Sequence, residues 1–246
     1  MNLSASVSDY HQHIAAAMKT VTYPIVYPDS DGQPMADNTE QYEWITRIKG
    51  NLDIIFAKDE NLFVAGDMLW YPVEGNPGIR VAPDVLVAFG RPKGYRGSYM
   101  QWKEDNVAPQ VVFEILSPGN TAREMRGKRF FYDKHGVEEY YVYDPSDFSF
   151  EVWRRWDGEL HLLGTVESAN CTSPRLGVYF LADPETELRI FRPDGQPFRT
   201  MVEIEEERQR AQEQAYCQSQ RAEAEFGRAE RLAAKLRELG IDPENV

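Results

Sequence analysis

Gln110-Val111-Val112-Phe113-Glu114-Ile115-Leu116 is a short, β-branched, mostly apolar run with a single acid inside it. A run of that length, apolar on both sides, reads as a central strand buried on both faces. Pro118-Gly119-Asn120 ends it. Thr121 then caps a predicted helix that runs to His135, where Gly136 supplies the stop. Glu139 to Tyr143 is another buried strand, closed by Asp144-Pro145. Strand, helix and strand in succession predict an α/β domain whose sheet carries helices on its faces.

Upstream, Asn38 or Thr39 is placed to cap a helix, with Tyr42, Ile45, Ile48, Leu52, Ile55 and Phe56 at helical spacing. Asp59 to Asn61 breaks it. Leu62 to Tyr71 reads as a strand, Glu74 to Gly78 as a turn, and Ile79 to Phe89 as a second strand before a polar loop over 91–107. Downstream, Phe148–Arg155 and Glu159–Val166 flank Asp157-Gly158, a hairpin turn, and short strands are expected near Tyr179 and over Leu188–Phe191. The predicted order is helix, three strands, helix, strand, then further β pieces. Residues 1–36, with Pro24, Pro28 and Pro34, read as a loosely ordered lead, and 37–200 as the domain.

From Glu203 the composition shifts to Glu, Arg, Gln and Ala, with no proline until Pro243, so 201–246 is predicted to be a helical tail. Ala222, Phe226, Ala229, Ala233 and Leu236 alternate by four and three, a short coiled-coil-like seam. A homodimer formed through this helix and a helix packed on its own domain both fit that pattern.

The chain has 246 residues, 42% hydrophobic and 27% charged, enough for one ample core. No apolar run approaches the roughly 20 residues that span a bilayer. Met1 to Thr20 has neither a basic start nor a long apolar stretch, so it reads as no secretory signal. Cys171 and Cys217 lie far apart, which fits a reducing cytoplasm better than a disulfide framework. A net charge of −13 argues against a surface that grips nucleic acid everywhere. Positive charge is concentrated locally, in Arg91, Lys93, Arg96 and Lys103, and in Arg123, Arg126, Lys128, Arg129 and Lys134. These two stretches read either as solvated faces or as a phosphate-contacting rim.

His11, His13, His135 and His161 have no ligand spacing, and the cysteines form no zinc pair. No G-x-S-x-G elbow, P-loop or G-x-G-x-x-G is present. Carboxylates remain. Asp84, in Val81-Ala82-Pro83-Asp84-Val85-Leu86, and Glu114 both sit among apolar strand residues. An ionised carboxylate there costs several kcal/mol unless a cation or hydrogen-bond donors compensate it. Taken alone, either acid reads as a strand-end residue turned to solvent or paired with an arginine. Together, on neighbouring strands, they are placed to converge on one Mg²⁺ through hard oxygen ligands.

The run Glu114-Ile115-Leu116-Ser117-Pro118, followed by Thr121, Lys128, Tyr132, Gly136-Val137, Glu139-Tyr140 and Asp144-Pro145, resembles the Uma-type family of restriction endonucleases. That family belongs to the PD-(D/E)xK nuclease superfamily, and Pro83-Asp84 matches its PD motif. The resemblance covers about residues 38 to 192. It implies a restriction-endonuclease-like core. It also implies Mg²⁺ or Mn²⁺ held by Asp84, Glu114 and the backbone carbonyl of Ile115, with DNA as substrate. The superfamily lysine two residues after the strand glutamate is Leu116 here; the Uma-type pattern places it fourteen positions on, at Lys128. Lys128 would then orient or deprotonate the attacking water. Glu124 stands where the family often has Asp, and the histidine frequent near the start of the first helix is missing. Glu40 or Glu43 is expected to supply a first-helix acid, and Asp67 a supporting one. Tyr132 and Tyr140 read as core residues, and Ser117 and Thr121 as turn and cap. The resemblance leads to a metal-dependent endonuclease. Its rivals are a nuclease-fold scaffold acting through the helical tail, and the same chemistry on RNA or branched DNA.

Overall fold

The computed structural model describes residues 24–165, 170–240 and 242–243. His11, His13, the absence of a signal at Met1 to Thr20 and the Val166 end of the predicted hairpin strand lie outside the described residues. In chain order the elements are α1 (Thr39–Ile55), β1 (Leu62–Gly66), β2 (Trp70–Tyr71), β3 (Val85–Phe89), β4 (Tyr99–Met100) and β5 (Val111–Ile115). There follow α2 (Ala122–Lys134), β6 (Glu139–Asp144), β7 (Ser149–Trp156), β8 (Glu159–Gly164), β9 (Cys171–Thr172), β10 (Tyr179–Asp183), β11 (Thr186–Phe191) and α3 (Met201–Glu238).

The central sheet is mixed, in the order β1-β3-β5-β6-β7-β8. β5 and β6 pair in parallel across the α2 crossover, while β1–β3, β3–β5, β6–β7 and β7–β8 are antiparallel. β5 is buried at every residue, as expected of an inner strand covered on both faces. Alternation sorts its side chains. Val111, Phe113 and Ile115 join the layer under α1, together with Trp44, Ile48 and the β9–β11 sheet residues Phe180 and Ile190. Val112 faces the opposite layer with Tyr132 of α2, Tyr140, Trp70 and Tyr99.

Local chemistry fixes the element ends. Asn38 caps α1 by accepting from the backbone N–H of Gln41 at 2.8 Å. Thr121 and Glu124 form a reciprocal capping box at the start of α2. Gly136 follows α2 at φ 91°, the left-handed stop that glycine tolerates. Asp157 and Gly158, both at positive φ, turn β7 into β8.

Two expected strands are shorter than predicted. Leu62–Tyr71 is split because Asp67 takes φ 45°, ending β1 after Gly66. The strand expected from Ile79 begins only at Val85. Pro83 lacks the N–H a ladder needs, and the segment before it makes just an isolated bridge between Val81 and Trp70.

α3 starts on a Thr200–Glu203 capping box and has no buried side chain along its 38 residues. The side-chain amide of Asn51 in α1 donates to the carbonyl of Arg199 at 2.7 Å and ties the root of α3 to the domain. No helix among the described residues is long and apolar enough to cross a membrane.

Candidate active site

Asp84 and Glu114 lie on the same face of the sheet. The antiparallel register pairs Val85 with Phe113, so Asp84, one residue before β3, stands across from Glu114 near the end of β5. Both share the parity of Val112 and point toward α2 rather than α1. Glu114 is 2% exposed and Asp84 8%. Neither is turned to solvent or paired with an arginine.

α2 closes over them. Its buried stripe brings Lys128 Nζ to 2.8 Å from Glu114 Oε2, while the Tyr132 hydroxyl, one turn on, donates to Glu114 Oε1. Tyr132 is therefore both a core residue and a site residue. Trp70 stacks parallel to it at 6.4 Å and Tyr140 packs at 5.0 Å, fixing where its hydroxyl points. Asp84 Oδ2 accepts from the backbone N–H of Ile115 at 2.6 Å. Among the described residues its other oxygen receives no hydrogen bond.

The Ile115 carbonyl points to the same strand edge as that N–H, the β3 side, because both groups of one strand residue share an edge. It accepts from the side-chain amide of Gln41 at 2.8 Å. The first-helix acids are elsewhere: Glu43 pairs with Arg47 at 3.0 Å and Glu40 is exposed in the first turn. Gln41 takes the place expected of them. Asp37 joins from the preceding loop, where Ser117 Oγ donates to Asp37 Oδ2 at 2.5 Å.

These groups surround an open pocket of about 340 Å³ lined in part by Asp31, Asp37, Gln41, Asp67, Asp84 and Lys128. Its electrostatics follow from burial beside like charges. Burial first, and the neighbouring Glu114 second, push the Asp84 carboxyl well above the usual carboxylate range. Asp67 is pushed up to about 6 by burial and by Asp31. Burial opposes the charge on Lys128, yet Glu114 and Asp84 outweigh it and hold the ammonium above its ordinary value. Burial and the Glu114 charge also push up the Tyr132 hydroxyl.

The donor chemistry fits a hard divalent cation. Two carboxylates and a backbone carbonyl suit Mg²⁺ or Mn²⁺, not a soft metal. Among the described residues there is no group of three His, Cys, Asp or Glu side chains arranged to hold a metal. An ion here would thus depend on the carbonyl and on water, as Mg²⁺ commonly does.

The two basic stretches part company. Arg91 and Arg96 pair with Glu104 at 3.2 and 2.6 Å, and Lys93 donates to the carbonyls of Phe56 and Ala57 just past the end of α1. Glu104 and Asp105 offset the charge of Arg91 and Arg96, whereas Lys93 ties this loop to the end of α1 through neutral carbonyls. On α2 the ion pairs among the described residues are Lys128–Glu114 and Asp133–Arg155. Arg123, Arg126 and Arg129 have no carboxylate partner among the described residues.

A mixed sheet between helices, with this carboxylate–lysine cluster on one face, defines a nuclease-like α/β fold. The chain belongs to the Uma2 family, described as "Putative restriction endonuclease", whose model matches residues 33–178. No curated protein matches the chain. Among solved structures, a crystal structure from Anabaena variabilis ATCC 29413, described as "a putative nuclease belonging to DUF820", is similar at 15% identity and TM-score 0.43. That alignment covers 62% of this chain and 84% of the other.

Proposed function

We propose that this protein is a metal-dependent endonuclease that hydrolyses DNA phosphodiester bonds. The observation that carries the reading is the meeting of Asp84, Glu114 and Lys128, distant along the chain, on one face beside an open pocket. Asp84, Glu114 and the Ile115 carbonyl would hold Mg²⁺ or Mn²⁺, which polarises a phosphodiester oxygen and acidifies water when bound. Lys128, held as an ammonium by Glu114 and Asp84, would orient the attacking water and offset charge growing on the phosphoryl group, the deprotonating role expected from the sequence being closed to a protonated amine. Tyr132 fixes Glu114 from below. The direct test is plasmid incubated with Mg²⁺ or Mn²⁺ and with wild type, Asp84→Ala or Glu114→Ala. Nicking or linearisation by wild type alone is the expected result. Equal cleavage by all three would trace the activity to a contaminant.

A second reading, a nuclease-fold scaffold acting through α3, is favoured by one observation. Both Glu114 oxygens already accept hydrogen bonds, from Lys128 and Tyr132. Calorimetric titration with Mn²⁺ separates the two readings, since a scaffold need not bind metal at this pair.

A further inference from the structure

A second cleft lies on the opposite flank of α2. Successive helix residues step by about 100°, so Lys128 and Arg129 leave the buried Tyr132 stripe on opposite sides. Glu124 and Lys128 face the carboxylate pocket, whereas Met125, Arg126 and Arg129 line a separate cleft of about 430 Å³ that ends on β6 and β7. Leu116, Met125 and Val142 make its walls apolar. Trp153 closes one side with the Arg129 guanidinium 4.6 Å from its ring centre, and its indole N–H donates to Glu151 at 2.8 Å.

The rim is cationic in a chain of net charge −13. Arg126 and Arg129 lack a carboxylate partner among the described residues, and Phe130, one turn after Arg126, is 69% exposed. Unpaired arginines interleaved with an open aromatic ring match how single strands are held: cations follow the backbone and flat faces take bases. The interior suits a base rather than a phosphate. Its walls are apolar, and Glu151 repels an anion while it is able to accept from an exocyclic amino group.

We infer that this cleft receives an unpaired nucleobase from the DNA strand whose scissile phosphate lies at Asp84 and Glu114. The preferred substrate is then single-stranded or frayed at the cleavage point, not an intact duplex. The inference rests on the nuclease reading for the phosphate and on the cleft for the base.

The test is fluorescence anisotropy in Ca²⁺ with the full chain. One probe is a labelled DNA single strand, the other the same strand with abasic residues at its centre. Wild type should bind the base-containing strand about tenfold tighter, the scale of one stacked base. Met125→Trp, which fills the cleft, should bind both strands equally while keeping wild-type affinity for the abasic one. Glu114→Gln should keep the discrimination and lose cleavage. Equal wild-type affinity for the two strands, a measurement that needs no variant to fold, overturns the cleft assignment and leaves the nuclease reading standing. Discrimination without any cleavage by wild type in Mg²⁺ or Mn²⁺ sinks the nuclease reading instead. Binding to neither strand also overturns the cleft assignment, and plasmid cleavage then decides the nuclease reading on its own.

Discussion

Gln41 holds the backbone carbonyl of Ile115 through a hydrogen bond of 2.8 Å that links residues 74 positions apart. The same amide side chain accepts from the backbone N–H of Asp37 at 2.7 Å, so one residue of α1 ties the entering loop to the end of β5. It keeps the carbonyl beside Asp84, whose own carboxylate grips the neighbouring N–H. Gln41→Ala should cost about 1–2 kcal/mol in urea unfolding, since a buried carbonyl loses its donor. It should also weaken Mn²⁺ about tenfold by calorimetry, as loss of an outer-shell partner does. Unchanged Mn²⁺ affinity would detach Gln41 from the site.

Lys128 should matter most when no metal is present. Its ammonium is the cation nearest two buried carboxylates. Lys128→Met leaves them facing each other without it, and breaking a buried pair in this way typically costs about 3 kcal/mol. Thermal unfolding in EDTA should show the loss. Added Mn²⁺ should raise the midpoint of the variant more than that of wild type, because the ion supplies the missing charge. A variant as stable as wild type in EDTA would mean that Glu114 is held by Tyr132 alone.

The parts of the site carried by local pattern were legible in the chain. Glu114 stands out because an acid interrupts a buried strand, and Lys128 because family spacing places it on the following helix. The helix caps at Asn38 and Thr121 obey short-range rules. Gln41 and Asp37 left no such mark, since their partners, Ile115 and Ser117, lie 74 and 80 residues away. The break at Asp67 was hidden because Leu62 to Tyr71 is apolar enough to read as one strand. Arg91 and Arg96 looked available for phosphate because charge counts do not show that Glu104 sits between them.

Glu104 gives a pH prediction away from the metal ligands. Burial works to raise its pKa, but hydrogen bonds and charge from Arg96 and Arg91 prevail and hold it below the ordinary 4.5. A carboxyl depressed on folding contributes stability that is fully present above its unfolded value and is lost as pH falls through the folded one. The 91–107 loop should therefore loosen as pH drops below about 4.5. Glu104→Gln should lose about 2 kcal/mol at neutral pH, the scale of a hydrogen bond to a charged group, and show a flatter acid limb. An acid limb identical to wild type would place the titration elsewhere.

α3 invites the last prediction. A helix of 38 residues spans roughly 57 Å, and isolated helices in water are marginal unless an apolar face is covered. Its root is anchored by Asn51 and the Thr200 cap, yet Phe226 is 66% and Leu232 56% exposed. The seam of Ala222, Phe226, Ala229, Ala233 and Leu236 has small residues flanking one large ring, a pattern that permits close approach of a second helix. We propose that a second copy of the chain covers it. Light scattering should give a dimer for the full chain and a monomer after truncation at Thr200. Phe226→Glu should reproduce the monomer without shifting the thermal midpoint of the α/β domain, since Phe226 is exposed and lies well beyond the helix root that meets α1. A truncated chain that keeps the full-length oligomeric order would move the interface onto the domain and leave the seam with no role in assembly.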